Sequence, residues 1–269
     1  DEAECARLAA DVTALTDVPA TMIGAREYLF HDGATASRQW EHTRLAAFHA
    51  MGSGKARLIA ATVEGLLQRT LPPEDLSAHT VTLEAGGAYD LDQLADRLAA
   101  LGYTRCQQVE GVGQFALRGG ILDVFSPGQE DPVRVEFWDQ DVDSMGLFDV
   151  SSQRRVGRLD KAVFLPASEL LPIRDETGQW QRLTDRQLPA RYSRLATAAH
   201  HLPPDAVICL SESSRVAERG KNWLWQLNED VKTLLEAGKL DGKHALFSAT
   251  MDELMAVLSD HALCFLDSF

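Results

Sequence analysis

No run in this sequence approaches the roughly 20 consecutive apolar residues that a bilayer-spanning helix needs, which excludes the helical membrane-protein class. Residues 1–15, DEAECARLAADVTAL, open with acids where a secretory signal carries a basic region, so the expected setting is soluble and cytoplasmic, with no membrane partner. Cysteine is scarce. Cys5, Cys106, Cys209 and Cys264 stand alone with no C-x-x-C pair, so the signatures of a disulfide framework and of a zinc ribbon are both missing. The pattern predicts four small apolar core residues instead. Basic charge is also short: 26 Lys and Arg against 40 Asp and Glu give −14, a field that repels phosphate. The one concentrated basic feature is Arg154, Arg155, Arg158 and Lys161, best read as solvated charges after a hairpin. Duplex DNA affinity at physiological salt is therefore expected to be weak or absent, and submicromolar gel-shift binding would contradict this.

Catalytic signatures are missing as well. Gly52-Ser53-Gly54-Lys55 looks like the end of a phosphate-binding loop, but His49 stands where the first Gly belongs and Ala56 where the magnesium-binding hydroxyl belongs. The pattern also places a helix before this segment and a strand after it, whereas phosphate needs the free amides at the start of a following helix. In Val207-Ile208-Cys209-Leu210-Ser211-Glu212, Ser211 occupies the place of the Asp that would hold a magnesium shell. Asp139-Gln140-Asp141-Val142-Asp143 resembles the start of a calcium loop, yet Ser144 and Val150 replace the required Gly and Glu, and a polar hairpin turn accounts for the acids. His200-His201 are adjacent and cannot face one ligand from a helix. No G-x-S-x-G setting occurs. No catalytic, cofactor-binding or metal-binding residue is assigned, and no cofactor is expected.

What is present is an ordinary globular composition, 45% hydrophobic and 25% charged, over 269 residues, enough for two or three cores. Helical spacing at residues 3–15, a strand at 18–23, a helix opened by Ser37 and ended by Gly52 or Gly54, a strand at 57–62 and a short helix stopped by Pro72 and Pro73 form an alternating α/β layer. From about residue 80 the period changes. After VTLEAG and a helix at 90–101 come YTRCQQVE, GQFALRGGILDVFS, PVRVEFW and VDSMGLFDV, apolar alternations punctuated at hairpin intervals. Beyond about 166 helices return, one near 180–200 and one near 212–237, with strands at AVICL, HALFS and ALCFL. The expected architecture is an α/β domain split into residues 1–79 and 167–269, with an antiparallel β-rich domain inserted at 80–166.

Two strands of the insert carry more than a bland sheet requires. Alternation sends Val133, Val135 and Phe137 to one face and Arg134, Glu136 and Trp138 to the other. On the preceding strand Phe115 and Leu117 go inward, and Arg118 goes outward with Ala116. Two arginines and a tryptophan on a water-facing sheet are the residue types of protein-binding hot spots. The bland alternative is a surface ladder, with Arg118 and Arg134 paired to Glu136 or Asp123 and Trp138 covering an edge. Both readings stand on pattern alone.

Three segments together, Gly113 to Phe125, Pro132 to Trp138 and Phe148 to Arg154, closely resemble the N-terminal UvrB-like module of the bacterial transcription-repair coupling factors. Ser37 to Met51, Leu66-Leu67-Gln68-Arg69 and Leu165-Pro166-Ala167-Ser168-Glu169 have counterparts there too. The resemblance spans nearly the whole chain, strongest between 101 and 170 and loose after 200. It implies a degenerate helicase-like (P-loop NTPase-like) α/β domain and an inserted UvrA-binding domain. It also implies a noncatalytic adaptor that recruits UvrA for nucleotide excision repair. The family's UvrA-contacting positions fall on Arg118, Arg134 and Trp138, the last commonly Phe in that family. The resemblance further implies a longer parent, with an ATP-dependent translocase beyond Phe269, the family's first strand before Asp1, and a C-terminal region that covers the same surface at rest. The reading from another class, a UvrB-like ATPase or nucleic-acid-processing enzyme, would be revived by ATP turnover.

Overall fold

The computed structural model describes residues 1–28, 30, 37–242 and 245–267. Asp1 accepts a hydrogen bond from the Glu4 amide while Glu4 reaches back to the terminal ammonium, so α1 (Glu2–Thr16) opens on a capping box and stops where Asp17 turns left-handed. Strand β1 (Ala20–Ile23) follows, then α2 (Gln39–Gly52), and β2 (Leu58–Ala61), which pairs with β1 in parallel from Ala20↔Leu58 to Ile23↔Ala61. Arg38 rather than Ser37 is the N-cap of α2, although the Ser37 hydroxyl still accepts from the Gln39 amide at 3.3 Å. Residues 52–55 form the turn between α2 and β2, with the Ser53 amide donating back to the His49 carbonyl. These amides follow the end of a helix instead of opening one, so they offer no phosphate cradle. Thr62 caps α3 (Val63–Leu67), and a Cβ on Gly65 would sit 2.8 Å from the Gly24 carbonyl, which is why this packing requires glycine. β3 (Arg69–Thr70) and α4 (Pro73–Ala78) lead onward.

The next stretch is dominated by β structure. β4 (Val81–Glu84) precedes α5 (Leu91–Ala100), whose N-cap Asp90 accepts from the Gln93 amide and whose Leu94, Ala95 and Leu98 are buried. Then come β5 (Thr104–Arg105), β6 (Gln114–Arg118), β7 (Ile121–Phe125), β8 (Val133–Trp138), β9 (Asp141–Phe148) and β10 (Arg155–Arg158), making one six-stranded sheet in the order β10-β9-β8-β7-β6-β5. All its pairings are antiparallel except β5 with β6. β11 (Lys161–Phe164) pairs with β4, and β12 (Ile173–Arg174) with β13 (Trp180–Gln181). One face of the sheet joins α5, β4 and β11 in a core that includes Leu83, Leu98, Phe115, Val124, Val135 and Phe164. Burying each such large side chain stabilises by roughly 1.5–3 kcal/mol before the entropy cost of ordering it. Segment YTRCQQVE supplies only the two-residue β5; residues beyond it cross the sheet as a loop.

β9 and β10 approach so closely that a Cβ on Gly146 would lie 2.1 Å from the Gly157 carbonyl oxygen. Gly146→Ala should therefore break the β9–β10 pairing at a cost of about 1–3 kcal/mol. Hydrogen exchange across the paired residues Arg155, Gly157 and Arg158 would report it, and unchanged protection there would refute the constraint.

The chain then gives α6 (Leu188–Arg191), β14 (Ala196–Thr197), β15 (Val207–Ser211), α7 (Ser213–Glu236), α8 (Met251–Leu258) and β16 (Ala262–Leu266). β14 pairs with β3, β15 runs parallel with β16, and Val63, Leu67, Ala199, Leu254 and Leu258 anchor the core beneath. The long helix read at 180–200 does not form. Pro189 has no N–H to extend a helix, Thr184 and Thr197 draw the backbone into short 3-10 turns, and Ala196–Thr197 is committed to β3. The strand read at HALFS reduces to a single bridge from Ser248 to Gln68, and His244 lies outside the described residues.

Backbone contacts divide the chain into two compact units: residues 1–40, 47–74 and 184–269, and residues 41–46 and 75–183. The whole is mixed α/β with one multi-stranded sheet. No helix among the described residues is long and apolar enough to cross a membrane. Cys5 is buried and Cys106 half-buried, but Cys209 and Cys264 are exposed, a correction to the core reading of all four.

Candidate protein-docking surface

The second face of the six-stranded sheet holds Arg118, Arg134 and Trp138. β6 turns into β7 through Gly119-Gly120, with Arg118 opposite Ile121. Gly119 takes φ +57°, and a Cβ on Gly120 would meet the Phe137 carbonyl oxygen at 2.7 Å. β8 turns into β9 through Asp139-Gln140, so the acid run that imitates a calcium loop is a hairpin tip. Between Glu136↔Ser144 and Phe137↔Val142 the register shifts, leaving Asp143 as the extra residue of a bulge on β9. Because the extra residue lies on β9, alternation along β8 is undisturbed, and Arg134, Glu136 and Trp138 share one face. Arg134 and Trp138 are four residues apart, about 13 Å along the strand.

Asp123 organises the arginines. It pairs with Arg134 across β7 and β8, and its carboxylate is only 1% exposed. Arg134 grips it with both arms of the fork, Nε to Oδ1 at 2.7 Å and Nη2 to Oδ2 at 2.8 Å. The same Nη2 donates to the Gln153 side-chain oxygen at 2.9 Å, and the guanidinium lies over the Phe148 ring at 4.3 Å. These hydrogen bonds to Asp123 raise the Arg134 pKa further above its ordinary value, so its charge is fixed. Arg118 donates Nη2 to Asp123 Oδ2 at 2.9 Å while its side chain stays 47% exposed. Gln153 is itself set by a left-handed backbone and by donating to the Val150 carbonyl at 2.8 Å. That loop closes on Asp149, whose carboxylate accepts from Ser152, and this bond lowers its pKa.

Beside this triad, Glu136 accepts from Arg155 at 3.2 Å and from Ser144. Trp138 stands apart, 81% exposed and with no side-chain hydrogen bond among the described residues. The arginine–carboxylate ladder is thus present, on Asp123 and not on Glu136, whereas Trp138 is exposed on an inner strand and not at a sheet edge. The face is also less open than alternation implies. Ala116 is fully buried because the loop after β5 folds over it, packing Val109 against Ala116 and Phe125. Phe137 faces the core but only partly buries there.

Of the groups around Arg134, the pattern names Asp123 as a ladder partner but neither Phe148, the last residue of β9, nor Gln153, which lies in the loop after β9.

Residues 81–170 match the model of the UvrB interaction domain, so the entire sheet and both arginines fall inside it. The chain is 26% identical over 272 residues to the transcription-repair-coupling factor of Bacillus subtilis (strain 168), covering 86% of this chain and 23% of that protein. It is 34% identical over 185 residues to the factor of the same name from Myxococcus xanthus, 66% of this chain and 15% of the relative. For Escherichia coli (strain K12) the figures are 30% over 163 residues, 61% and 14%. The chain thus spans less than a quarter of the length of these curated relatives.

Proposed function

We propose that this chain, which carries a UvrB interaction domain at residues 81–170 and resembles transcription-repair-coupling factors, is a noncatalytic docking module that recruits UvrA in transcription-coupled nucleotide excision repair. The observation that carries this is the combination of a bare Trp138, 81% exposed, with two arginines already fixed on one buried carboxylate. An exposed indole is a liability that a partner's apolar pocket turns into an anchor. Arg118 keeps donors free in solvent for a carboxylate of the partner, and Arg134 presents a rigid, permanently charged edge. Since Asp123 has already ordered both side chains, binding pays little of the usual rotamer entropy.

On this reading the α/β layer around α1, β1, β2, β15 and β16 is the degenerate helicase-like part, cytoplasmic like the rest, and a longer parent supplies the ATP-driven motor. A C-terminal region of that parent then competes for the same face, and intact protein should bind UvrA more weakly than this chain by the fraction that is open.

The decisive experiment is calorimetry of this chain with UvrA. Trp138→Ala should weaken binding about thirtyfold or more, about 2 kcal/mol. Its melting temperature should stay close to wild type, because the side chain buries almost nothing. Wild-type chain that fails to bind at tens of micromolar, or Trp138→Ala that binds normally, would defeat the proposal.

A further inference from the structure

Cys209 and Cys264 lie outside the core, on the surface. They are register partners in the parallel pair of β15 and β16, and both are free and exposed. Equal register in a parallel pair puts both side chains on one face. The exposure pattern identifies that face: Val207, Ser211, Ala262 and Leu266 are open to solvent with the two cysteines, whereas Ile208 and Leu263 pack toward the core. Neighbouring strands run about 4.8 Å apart, inside the Cα separation of about 4.4–6.8 Å that a disulfide accepts. The remaining thiols are less available: burial raises the pKa of both Cys5 and Cys106, which suppresses their thiolates.

We propose that Cys209 and Cys264 form a dithiol modification site that closes to an intramolecular disulfide by exchange with a low-molecular-weight disulfide. One protein thiolate attacks a sulfur of the small disulfide, breaking its S–S bond and expelling one small thiolate. The second protein thiolate then attacks the protein sulfur of that mixed disulfide and expels the other small thiolate. The two protein thiols lose two protons and two electrons, and the small disulfide is reduced to two thiols. The new bond ties β15 to β16 and encloses α7 and α8. In a reducing cytoplasm the pair rests open, the position of a redox-responsive and not a structural disulfide.

The test uses the reduced chain, incubated with oxidised glutathione, unfolded, and read by intact mass, thiol titration and peptide mapping. Two of the four thiols should vanish, the mass should fall by two hydrogen atoms, and one cross-linked peptide should join Cys209 to Cys264. Dithiothreitol should reverse all three changes. Cys209→Ser and Cys264→Ser, which leave the other sulfur without a resolving partner, should each retain one glutathione as a stable mixed disulfide. Wild-type chain that stays reduced, keeps glutathione on both cysteines, links two molecules, or joins either cysteine to Cys5 or Cys106 would overturn the proposal.

Discussion

Arg134→Ala is expected to lose stability and UvrA binding together, which sets it apart from Trp138→Ala. The wild-type guanidinium takes both oxygens of an Asp123 carboxylate that is 1% exposed, and it covers the Phe148 ring. Removing it leaves that carboxylate buried with Arg118 alone. Breaking a fully buried ion pair costs about 3–5 kcal/mol; because Arg118 remains and Arg134 is partly solvated, a loss of about 2–3 kcal/mol is expected. Binding should fall by about thirtyfold or more in addition. Arg134→Lys separates the two effects, since it keeps the charge but cannot reproduce the bidentate grip. Denaturant melts beside calorimetry check both readings. A variant as stable as wild type would mean that the Asp123 pairing contributes nothing; full affinity in a folded variant would remove Arg134 from the interface.

Phe115→Ala should produce the largest loss of stability, about 3–5 kcal/mol, with the Arg118–Arg134 face of the sheet affected only through unfolding. Its ring is 1% exposed within the sheet core, with Val124 directly opposite on β7. Phe137, also inward by alternation, is only partly buried near the end of β8, so Phe137→Ala should cost about half as much or less. Equal destabilisation by the two variants in urea titrations would show that depth in the sheet does not grade these positions.

That contrast marks how far the sequence is legible. Period-two alternation identifies Phe115, Val133, Val135 and Phe137 as one face and Arg134, Glu136 and Trp138 as the other, because alternation is a backbone property that the hairpins preserve. It carries no information on depth, so Phe115 and Phe137 look alike, nor on what crosses a face, so Ala116 looks exposed. On β9 it fails outright. Val142 and Met145 are both buried although three residues apart, because the Asp143 bulge inserts a step that regular alternation does not contain. The long helix read at 180–200 fails for a different reason: apolar spacing outvoted Pro189 and the Thr197 turn, and the pairing of Ala196–Thr197 with β3 is a contact distant in sequence.

One carboxylate serving two guanidiniums makes this face of the sheet a single heritable unit. Positions 118 and 134 are held by the same anchor at 123, so their substitution energies are coupled and the double variant will depart from the sum of the singles. A lineage that exchanges Asp123 changes the aim of both arginines in one step, and restoring either alone recovers only part of the geometry. Trp138, outside that hydrogen-bonded group, is free to drift among aromatic residues. Sequence variation on this face is therefore expected to accumulate first at the hairpin tip and last at the acid beneath it.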